Sequence, residues 1–285
     1  LTKNYEKDIN IIKEFNPVFD KPQSLMHNKF FIFDDKKVLT GSMNVSSTGS
    51  GGYNSNLVAV INSCAVASIY KKEFFEMFNE KFSKKKGKIL KAPVFLNDSE
   101  VQIFFSPKDD VKNSLIIPSI KNAKNEILLS AFYLTDLNVV DELISAYKRG
   151  VKTYIIMDAL GAINFKNRII PLRKAGIPVK IENWGGKNHE KTLEIDSKIL
   201  IFGSANFTLS GFYKNDENIL LVKNPEVAKF YREYFFMLFN SIDNKFLKAF
   251  PRAESFESGN SCFDGIDNNF DGKIDSSDDG CKVNK

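Results

Sequence analysis

HNKFFIFDDKKVLTGSMN, residues 27–44, recurs 162 residues later (189 − 27) as HEKTLEIDSKILIFGSAN, residues 189–206. Each copy carries a histidine, a lysine, an aspartate and a Gly-Ser-x-Asn run at the same spacing. His27 and His189 are the only histidines in the chain. Imidazole is well suited to exchange protons or act as a nucleophile near neutral pH, so we expect both to be used.

The similarity continues beyond these motifs at an offset of 161 (227 − 66). The matched residues are Val66-Ala67, Tyr70, Phe74-Phe75 and Phe78-Asn79 with Val227-Ala228, Tyr231, Phe235-Phe236 and Phe239-Asn240. A single insertion in the loop near Cys64 would explain the changed offset. The aromatic residues fall at helical spacing, which predicts a helix packed on a sheet rather than a binding surface.

The second copy reads as a complete layered α/β unit with a largely buried sheet. The predicted strands are 101–106, 126–134, 151–159, 177–182, 192–195, 199–202 and 218–222. Helices are predicted at 111–125, 137–149 and 165–175, and the Phe-rich segment forms a closing helix. The first copy retains only the helix Tyr5–Phe15 and the strand Pro17–Phe19 before its motif. We therefore expect an N-terminally truncated first half, part of a longer protein, because the missing strands would leave an exposed sheet edge.

These patterns divide the chain into five segments. We predict an incomplete first half at 1–83, a linker at 84–99, a complete second half at 100–245, a second linker at 246–260 and an acidic tail at 261–285. The lysine-rich stretch Lys84–Lys91 reads as an exposed, solvated linker. Cys64 lies in an apolar stretch and is predicted to be a buried thiol.

Charge is unevenly distributed. The chain carries 40 basic and 35 acidic residues, net +5. Residues 254–285 contain eight acids and three bases, net −5, so residues 1–253 carry net +10 (37 − 27). A basic body suits a polyanionic or phosphate-bearing partner, although a lysine-rich solvated surface would give the same excess. No apolar run approaches membrane-spanning length.

The doubled His-x-Lys-x4-Asp-x6-Gly-Ser-x-Asn pattern resembles the phospholipase D superfamily of phosphodiesterases over residues 1 to about 245. The resemblance implies an α/β fold of two α/β/α sandwich halves with mixed sheets around a pseudo-twofold axis. It also implies one active site shared by both halves, so that a monomer is sufficient.

The residue types fit phosphodiester hydrolysis, which needs charge neutralisation, a nucleophile and a proton donor. Lys29 and Lys191 would supply positive charge, each on the same face as its histidine. Further donors to the phosphate are predicted in each Gly-Ser-x-Asn run, namely Ser42, Asn44, Ser204 and Asn206, each worth roughly 3–4 kcal/mol in comparable sites. Asp34 and Asp196, at strand ends, are expected to bond backbone amides in a supporting role.

The resemblance also implies the catalytic roles. His27 is assigned as the nucleophile that forms a phosphohistidine, and His189 as the acid/base; no metal or other cofactor is implied for the reaction. An acid in an Asn-x-Glu-Asn-like segment would hold the far nitrogen of a histidine, which makes Glu217 the candidate partner of His189. In the first copy Ser55 would stand in place of that acid.

The acidic tail contains a loop bracketed by Cys262 and Cys281, a spacing that indicates a disulfide and an oxidising compartment. The loop follows the EF-hand pattern of calcium ligands, with Asp in the last position. The predicted ligands are Asp267, Asn269, Asp271, Lys273 through its carbonyl, Asp275 and Asp278. The loop resembles Asp-rich, cysteine-bracketed calcium repeats of extracellular bacterial proteins. We therefore expect structural Ca²⁺ and a secreted or periplasmic protein whose signal peptide has been lost.

Three functions remain open at this point. Nucleic acid is slightly favoured as the substrate by the basic body, which predicts a nuclease. A phospholipase D acting on phospholipid head groups would use the same motif. The third hypothesis is a calcium-dependent phosphate-binding module without turnover. The intact set of His, Lys, Ser and Asn residues favours an enzyme.

Overall fold

The computed structural model describes residues 16–20, 24–182, 184, 186–242, 262–263, 265 and 272–282. The strands are β1 (Phe30–Phe33), β2 (Lys37–Gly41), β3 (Val58–Asn62), β4 (Val94–Leu96), β5 (Ser99–Ser106), β6 (Glu126–Ala131), β7 (Lys152–Met157), β8 (Val179–Ile181), β9 (Lys191–Ile195), β10 (Ile199–Gly203) and β11 (Glu217–Lys223). The helices are α1 (Ser47–Ser50), α2 (Cys64–Phe78), α3 (Ile117–Asn122), α4 (Leu137–Lys148), α5 (Ala159–Asn164), α6 (Lys166–Lys174), α7 (Leu209–Tyr213) and α8 (Pro225–Ser241).

The strands form one large and one small sheet. The large sheet has the order β4-β5-β11-β10-β9-β6-β7-β8, in which β6, β7 and β8 run parallel and the other neighbours antiparallel. The small sheet is the antiparallel set β1-β2-β3. The chain therefore has the mixed α/β fold predicted from its sequence.

Alternation along the buried strands divides the core into two layers. In β6, Leu129 joins a cluster with Leu143 of α4, whereas the neighbouring Leu128 faces the opposite layer. That opposite layer combines apolar residues of both halves, and Tyr70 of α2 packs edge-on against Phe105 of β5 with ring centroids 5.4 Å apart. Consecutive strand residues point to opposite faces, so one sheet can serve both layers. The halves are thus joined by a common core.

The internal repeat is visible in the fold. Strands β1–β3 correspond to β9–β11, and helices α1 and α2 correspond to α7 and α8. Among the described residues, the first half has no counterparts of β6, β7 and β8. The segment Pro17–Phe19 is not a strand, contrary to the prediction, and Tyr5–Phe15 lies outside the described residues.

Two other predicted elements differ in detail. The helix predicted at 165–175 begins instead at Lys166, after a separate helix α5 whose start is capped by Asp158. The helix predicted at 111–125 starts with a π-helical turn, Lys112–Ile116, and ends at Asn122. Pro118 directly follows this π-helical turn, a local departure from the α-helical pattern of the kind that accompanies proline within helices.

The matched aromatic residues of the two closing helices have different environments. Phe235 of α8 is 1% exposed, whereas its counterpart Phe74 in α2 is 43% exposed. Phe75 and Phe78 are similarly exposed. The prediction of a packed aromatic stripe is therefore right for α8 and wrong for this part of α2. The large sheet supplies packing partners such as Tyr154 of β7 to the α8 stripe, and the three-stranded sheet has no equivalent strand within the described residues.

Two sequence predictions about buried and exposed residues are also corrected. Cys64 is exposed at the start of α2 rather than buried. Lys86, in the stretch predicted to be a solvated linker, is fully buried and forms ion pairs with Glu73 and Asp216. Two carboxylates in the core require a cation, and the linker supplies it. No helix in the described part of the chain is long and apolar enough to cross a membrane.

Buried Glu194 in β9 should make the stability of the fold depend on pH. Burial raises the pKa of Glu194 to about 8. The carboxyl group of the unfolded chain ionises first, so stability is unaffected below about pH 4.5 and falls as the pH rises toward 8. We expect Glu194→Gln to stabilise the protein by on the order of a few kcal/mol at pH 8 and to have no such effect at pH 4.5.

Thermal unfolding at the two pH values measures this difference. Glu233→Gln, at an exposed position of α8, is the control. Equal effects of Glu194→Gln at both pH values would contradict the expectation.

Candidate active site

Each histidine is held by the backbone of the opposite half. The His27 amide donates to the carbonyl of Asp216 at 2.9 Å, and the His189 amide donates to the carbonyl of Ser55, also at 2.9 Å. Short parallel bridges accompany both contacts. The two connections are related by the internal repeat, so they form the pseudo-twofold junction that the sequence predicted.

The imidazole rings also reach across the junction. His27 Nδ1 lies 2.7 Å from Glu217 Oε2, and His189 Nδ1 lies 3.1 Å from Asn56 Oδ1. Both partner oxygens can only accept, so each Nδ1 carries the proton and Nε2 remains for substrate. The prediction that Glu217 pairs with His189 is therefore wrong. Glu217, from the second half, instead forms a hydrogen bond with His27 of the first half.

The structure also corrects the alignment of the two copies. The amide of Ser42 bonds the Leu57 carbonyl, just as the amide of Ser204 bonds the Asn218 carbonyl. This pairing places Asn56, not Ser55, opposite Glu217. The extra residue of the first copy thus lies before Asn56. It is not in the loop near Cys64.

This extra residue can be placed between Gly49 and Ser55. The amide of Gly49 donates a hydrogen bond to the side-chain hydroxyl of Ser46, and the amide of Gly211 donates to that of Thr208. These two equivalent glycines are at an offset of 162 (211 − 49). Beyond them the offset is 161 (217 − 56). Asn56 could have been identified from the sequence if the insertion had been assigned to the glycine-containing turn that follows α1.

The motif serines bind the histidine partners rather than an open substrate site. Ser204 Oγ donates to Glu217 Oε2 at 2.5 Å, and Ser42 Oγ donates to Asn56 Oδ1 at 3.0 Å. Both serines are fully buried. The predicted role of Ser42 and Ser204 in binding phosphate is therefore replaced by a role in positioning Asn56 and Glu217.

The two lysines form a desolvated positive centre. Lys29 Nζ donates to the carbonyl of His27 at 2.8 Å, and Lys191 Nζ donates to that of His189 at 2.6 Å. Burial lowers the pKa of Lys29 to about 8 despite the opposing charge of Glu217. Burial and the charge of Lys29 hold the pKa of Lys191 well below its usual range. A bound anion would compensate this charge.

The same positive charges also affect the pKa of His189. Burial, followed by the positive charges of Lys191, Lys29 and His27, lowers the pKa of His189 to about 2. The crossed hydrogen bonds of His27 with Glu217 and of His189 with Asn56 place both histidines, with their lysines, at the junction of the two halves. His189 is a neutral imidazole near pH 7 until an anion offsets these charges.

The remaining motif residues differ between the copies. Asp196 accepts hydrogen bonds from the backbone amides of 124–126, as expected for a supporting aspartate. Asp34 occupies the equivalent turn but is exposed, and the described residues provide no matching run of amides. Asn44 is exposed, whereas Asn206 is half-buried and its Oδ1 is buried without a hydrogen bond from the described residues.

Comparison with known proteins identifies the family. The family model described as "Cardiolipin synthase, PLD-like domain" matches residues 2–78 and 116–239. The chain belongs to this PLD-like family. Its PLD-like relatives support a phosphodiester hydrolase, in agreement with the paired histidines and lysines of the site.

Individual PLD-like relatives align with about half of this chain. A phospholipase D of Rickettsia prowazekii is 32% identical over 141 residues, which cover 50% of this chain and 68% of the relative. A mitochondrial cardiolipin hydrolase of Xenopus laevis is 27% identical over 149 residues, covering 52% and 71%. The crystal structure of the Haemophilus influenzae phosphatidylserine synthase shares the fold, with a TM-score of 0.58 and 14% identity over 76% of this chain and 62% of that one.

Several residues that support the PLD-like site were not predicted. Glu190, beside His189, accepts hydrogen bonds from Ser55 of the first half and from Tyr231 of α8, each at 2.6 Å. Asp158 accepts a hydrogen bond from the backbone amide of Asn188 at 3.1 Å and thereby positions the residue that precedes His189. Burial raises the pKa of Asp158 to about 6. Only Glu190 lies within a repeated motif, so the sequence offered little signal for Asp158.

The tail is described in part. Cys262 and Cys281 form the predicted disulfide. Of the predicted calcium ligands, Asp267, Asn269 and Asp271 lie outside the described residues. The remaining three, Lys273, Asp275 and Asp278, are described. The side chain of Asp275 accepts a hydrogen bond from the amide of Gly265, and the side chain of Asp278 accepts one from the amide of Gly280. The described residues contain no cluster of three His, Cys, Asp or Glu side chains placed to hold a metal ion.

Proposed function

We propose that this enzyme hydrolyses phosphodiester bonds of nucleic acid through a phosphohistidine on His27. The observation that carries the mechanism is the unequal pairing of the two imidazoles. A buried carboxylate, Glu217, bonds His27 Nδ1, whereas the neutral amide of Asn56 bonds His189 Nδ1. Attack by Nε2 on phosphorus leaves an imidazolium charge on the nucleophile, and the carboxylate stabilises that charge.

His189 then takes the acid/base role. The anionic substrate offsets the neighbouring positive charges and raises the pKa of His189, which allows it to hold a proton. In the first step the P–N bond to His27 forms, the P–O bond breaks and His189 protonates the leaving oxygen. In the second step neutral His189 removes a proton from water, which attacks phosphorus and releases His27. Lys29 and Lys191 neutralise charge on the non-bridging oxygens in both steps.

The choice of nucleic acid rests on charge. The body of the chain, residues 1–253, carries net +10 (37 − 27), which favours an extended polyanion. Phospholipid is the second candidate, favoured by the names of the relatives, phospholipase D and cardiolipin hydrolase. Either substrate would use the same phosphate site.

Direct comparison of substrates tests the proposal. The whole protein is incubated with plasmid DNA, with a single-stranded oligonucleotide and with phosphatidylcholine vesicles, each with and without EDTA. We expect DNA cleavage that persists in EDTA and disappears in His27→Asn and His189→Asn. Head-group release alone would show a phospholipase. Phosphate binding without turnover of any substrate would show a binding module.

We also propose that the tail binds Ca²⁺ in a structural role, in an extracellular or periplasmic setting that preserves the disulfide. Calorimetric titration of the whole protein with CaCl₂ should show one site that is lost in Asp271→Ala. Lys273→Ala is the matched control, because only its carbonyl would bind the ion. Unchanged binding in Asp271→Ala, or loss of DNA cleavage in EDTA, would contradict this role.

A further inference from the structure

The surroundings of the two histidines are unequal. Phe132, directly after β6, lies with its ring centroid 5.1 Å from that of His189. Tyr133 follows with its ring centroid 4.2 Å from that of Phe132, and Phe165 supports Tyr133 edge-on at 5.6 Å. Beside His27, the described first half has no counterpart of β6 and hence no equivalent pair of rings.

Phe132 and Tyr133 differ in accessibility. Phe132 is almost buried, whereas Tyr133 is half-buried and Lys187 is exposed. The Lys187 ammonium lies 5.8 Å from the centre of the Phe132 ring. Phe132, Tyr133 and Lys187 therefore form a surface with an apolar floor and a cationic rim, which we call the aromatic shelf.

We infer that the aromatic shelf binds the nucleobase of the leaving nucleotide. This inference rests on the proposed function, in which His189 protonates the leaving oxygen. In-line displacement places the nucleophile and the leaving oxygen on opposite sides of phosphorus, so the leaving group lies on the side of His189. That is the side on which Phe132 and Tyr133 lie.

The charges around the shelf decide which leaving group fits. Lys191 Nζ and Lys187 Nζ lie 5.0 and 5.8 Å from the centre of the Phe132 ring. The exposed Lys187 ammonium already occupies the region in which a quaternary ammonium head group would make a cation–π contact, and it would repel such a group. A neutral planar base stacks on aromatic side chains irrespective of its sequence. Lys187 is placed to neutralise the next phosphate of the strand.

The experiment compares short oligonucleotides that carry a single phosphodiester and lack one base. One substrate has a tetrahydrofuran abasic residue on the leaving side, and a second has it on the retained side. The cleavage products show which side leaves. For the wild-type protein we expect kcat/KM to fall roughly tenfold when the leaving residue lacks its base, and to change little when the retained residue does.

Variants of Tyr133 assign this preference to the shelf. Tyr133→Leu should abolish the tenfold difference by slowing cleavage of the intact substrate while leaving the abasic one unchanged. Tyr133→Phe should keep the difference. Tyr154→Leu is the matched control, since Tyr154 packs against Phe236 of α8.

The outcomes separate this inference from the proposed function. Absence of cleavage of every oligonucleotide by the wild-type protein would contradict the proposed nuclease. Cleavage with the same base preference in the wild type and in Tyr133→Leu would leave the nuclease intact and overturn the shelf. Impaired phosphatidylcholine hydrolysis in Tyr133→Leu, without any effect on oligonucleotides, would make the occupant a lipid head group.

Discussion

Glu217→Gln is expected to reduce kcat by about 10³–10⁴, the scale seen when a carboxylate that orients a catalytic histidine becomes an amide. Glu217 is completely buried and accepts hydrogen bonds from His27, from Ser204 and, at 3.1 Å, from Asn215. Glutamine has nearly the same shape but places a donor toward groups that also donate. It also removes the negative charge that stabilises a phosphorylated imidazolium.

The repeat provides a matched control for this variant. Asn56 occupies the equivalent position beside His189. Asn56→Asp should retain most activity and shift the alkaline limb of the pH dependence of kcat/KM to higher pH, because a carboxylate raises the pKa of the imidazole it binds and His189 must be protonated in the first step. Steady-state kinetics of both variants between pH 5 and 9 measure these effects. If Glu217→Gln kept activity within threefold while Asn56→Asp abolished it, the two histidine roles would be reversed.

The second large effect is expected from Lys86→Met, which should lower the free energy of unfolding by about 3–5 kcal/mol at pH 7.5. The Lys86 ammonium lies between the carboxylates of Glu73 and Asp216, with Asp216 Oδ1 at 2.7 Å. Burial raises the pKa of both carboxyl groups, and the charge of Lys86 opposes that rise. Its removal leaves two adjacent buried carboxylates without a cation.

The sign of the pH dependence follows from the same groups. Without Lys86 the carboxyl pKa values rise further, so the loss of stability grows with increasing pH and shrinks at pH 5, where protonation removes the repulsion. Urea denaturation at pH 5 and 7.5 measures both effects. Lys88→Met, exposed on the same linker, is the control and should change stability by less than about 0.5 kcal/mol. A similarly small change in Lys86→Met would show that the buried ion pairs contribute little.

The sequence predicted those parts of the fold that depend on periodicity and repetition. Most strands of the second half, its helices α4 and α8, the paired histidine motifs and the disulfide were readable from local pattern, whereas α5, α7 and β4 were not predicted. The partner of His27 was not, because Glu217 lies 190 residues from it and reaches it only across the junction of the halves. The true counterpart of Glu217, Asn56, was missed through an error of one residue in the alignment.

Burial in three dimensions was equally hard to read. A lysine-rich run such as Lys84–Lys91 has the composition of a solvated linker, and only packing shows that Lys86 enters the core. The motif serines were assigned to phosphate because their residue type can donate a hydrogen bond. Their hydroxyl groups instead donate to Asn56 and Glu217. These partners lie in later segments of the chain, so the local motif does not reveal them.

The most direct test of the central claim is to trap the covalent intermediate. Wild-type protein is mixed with a labelled oligonucleotide in molar excess over the enzyme, and the reaction is quenched in base within milliseconds. The protein is then digested, and the labelled peptide is identified by mass spectrometry. The mechanism predicts a phosphoramidate on the peptide that contains His27, its accumulation in His189→Asn with an activated leaving group, and its absence in His27→Asn. A label on His189, or complete turnover without any labelled histidine, would contradict it.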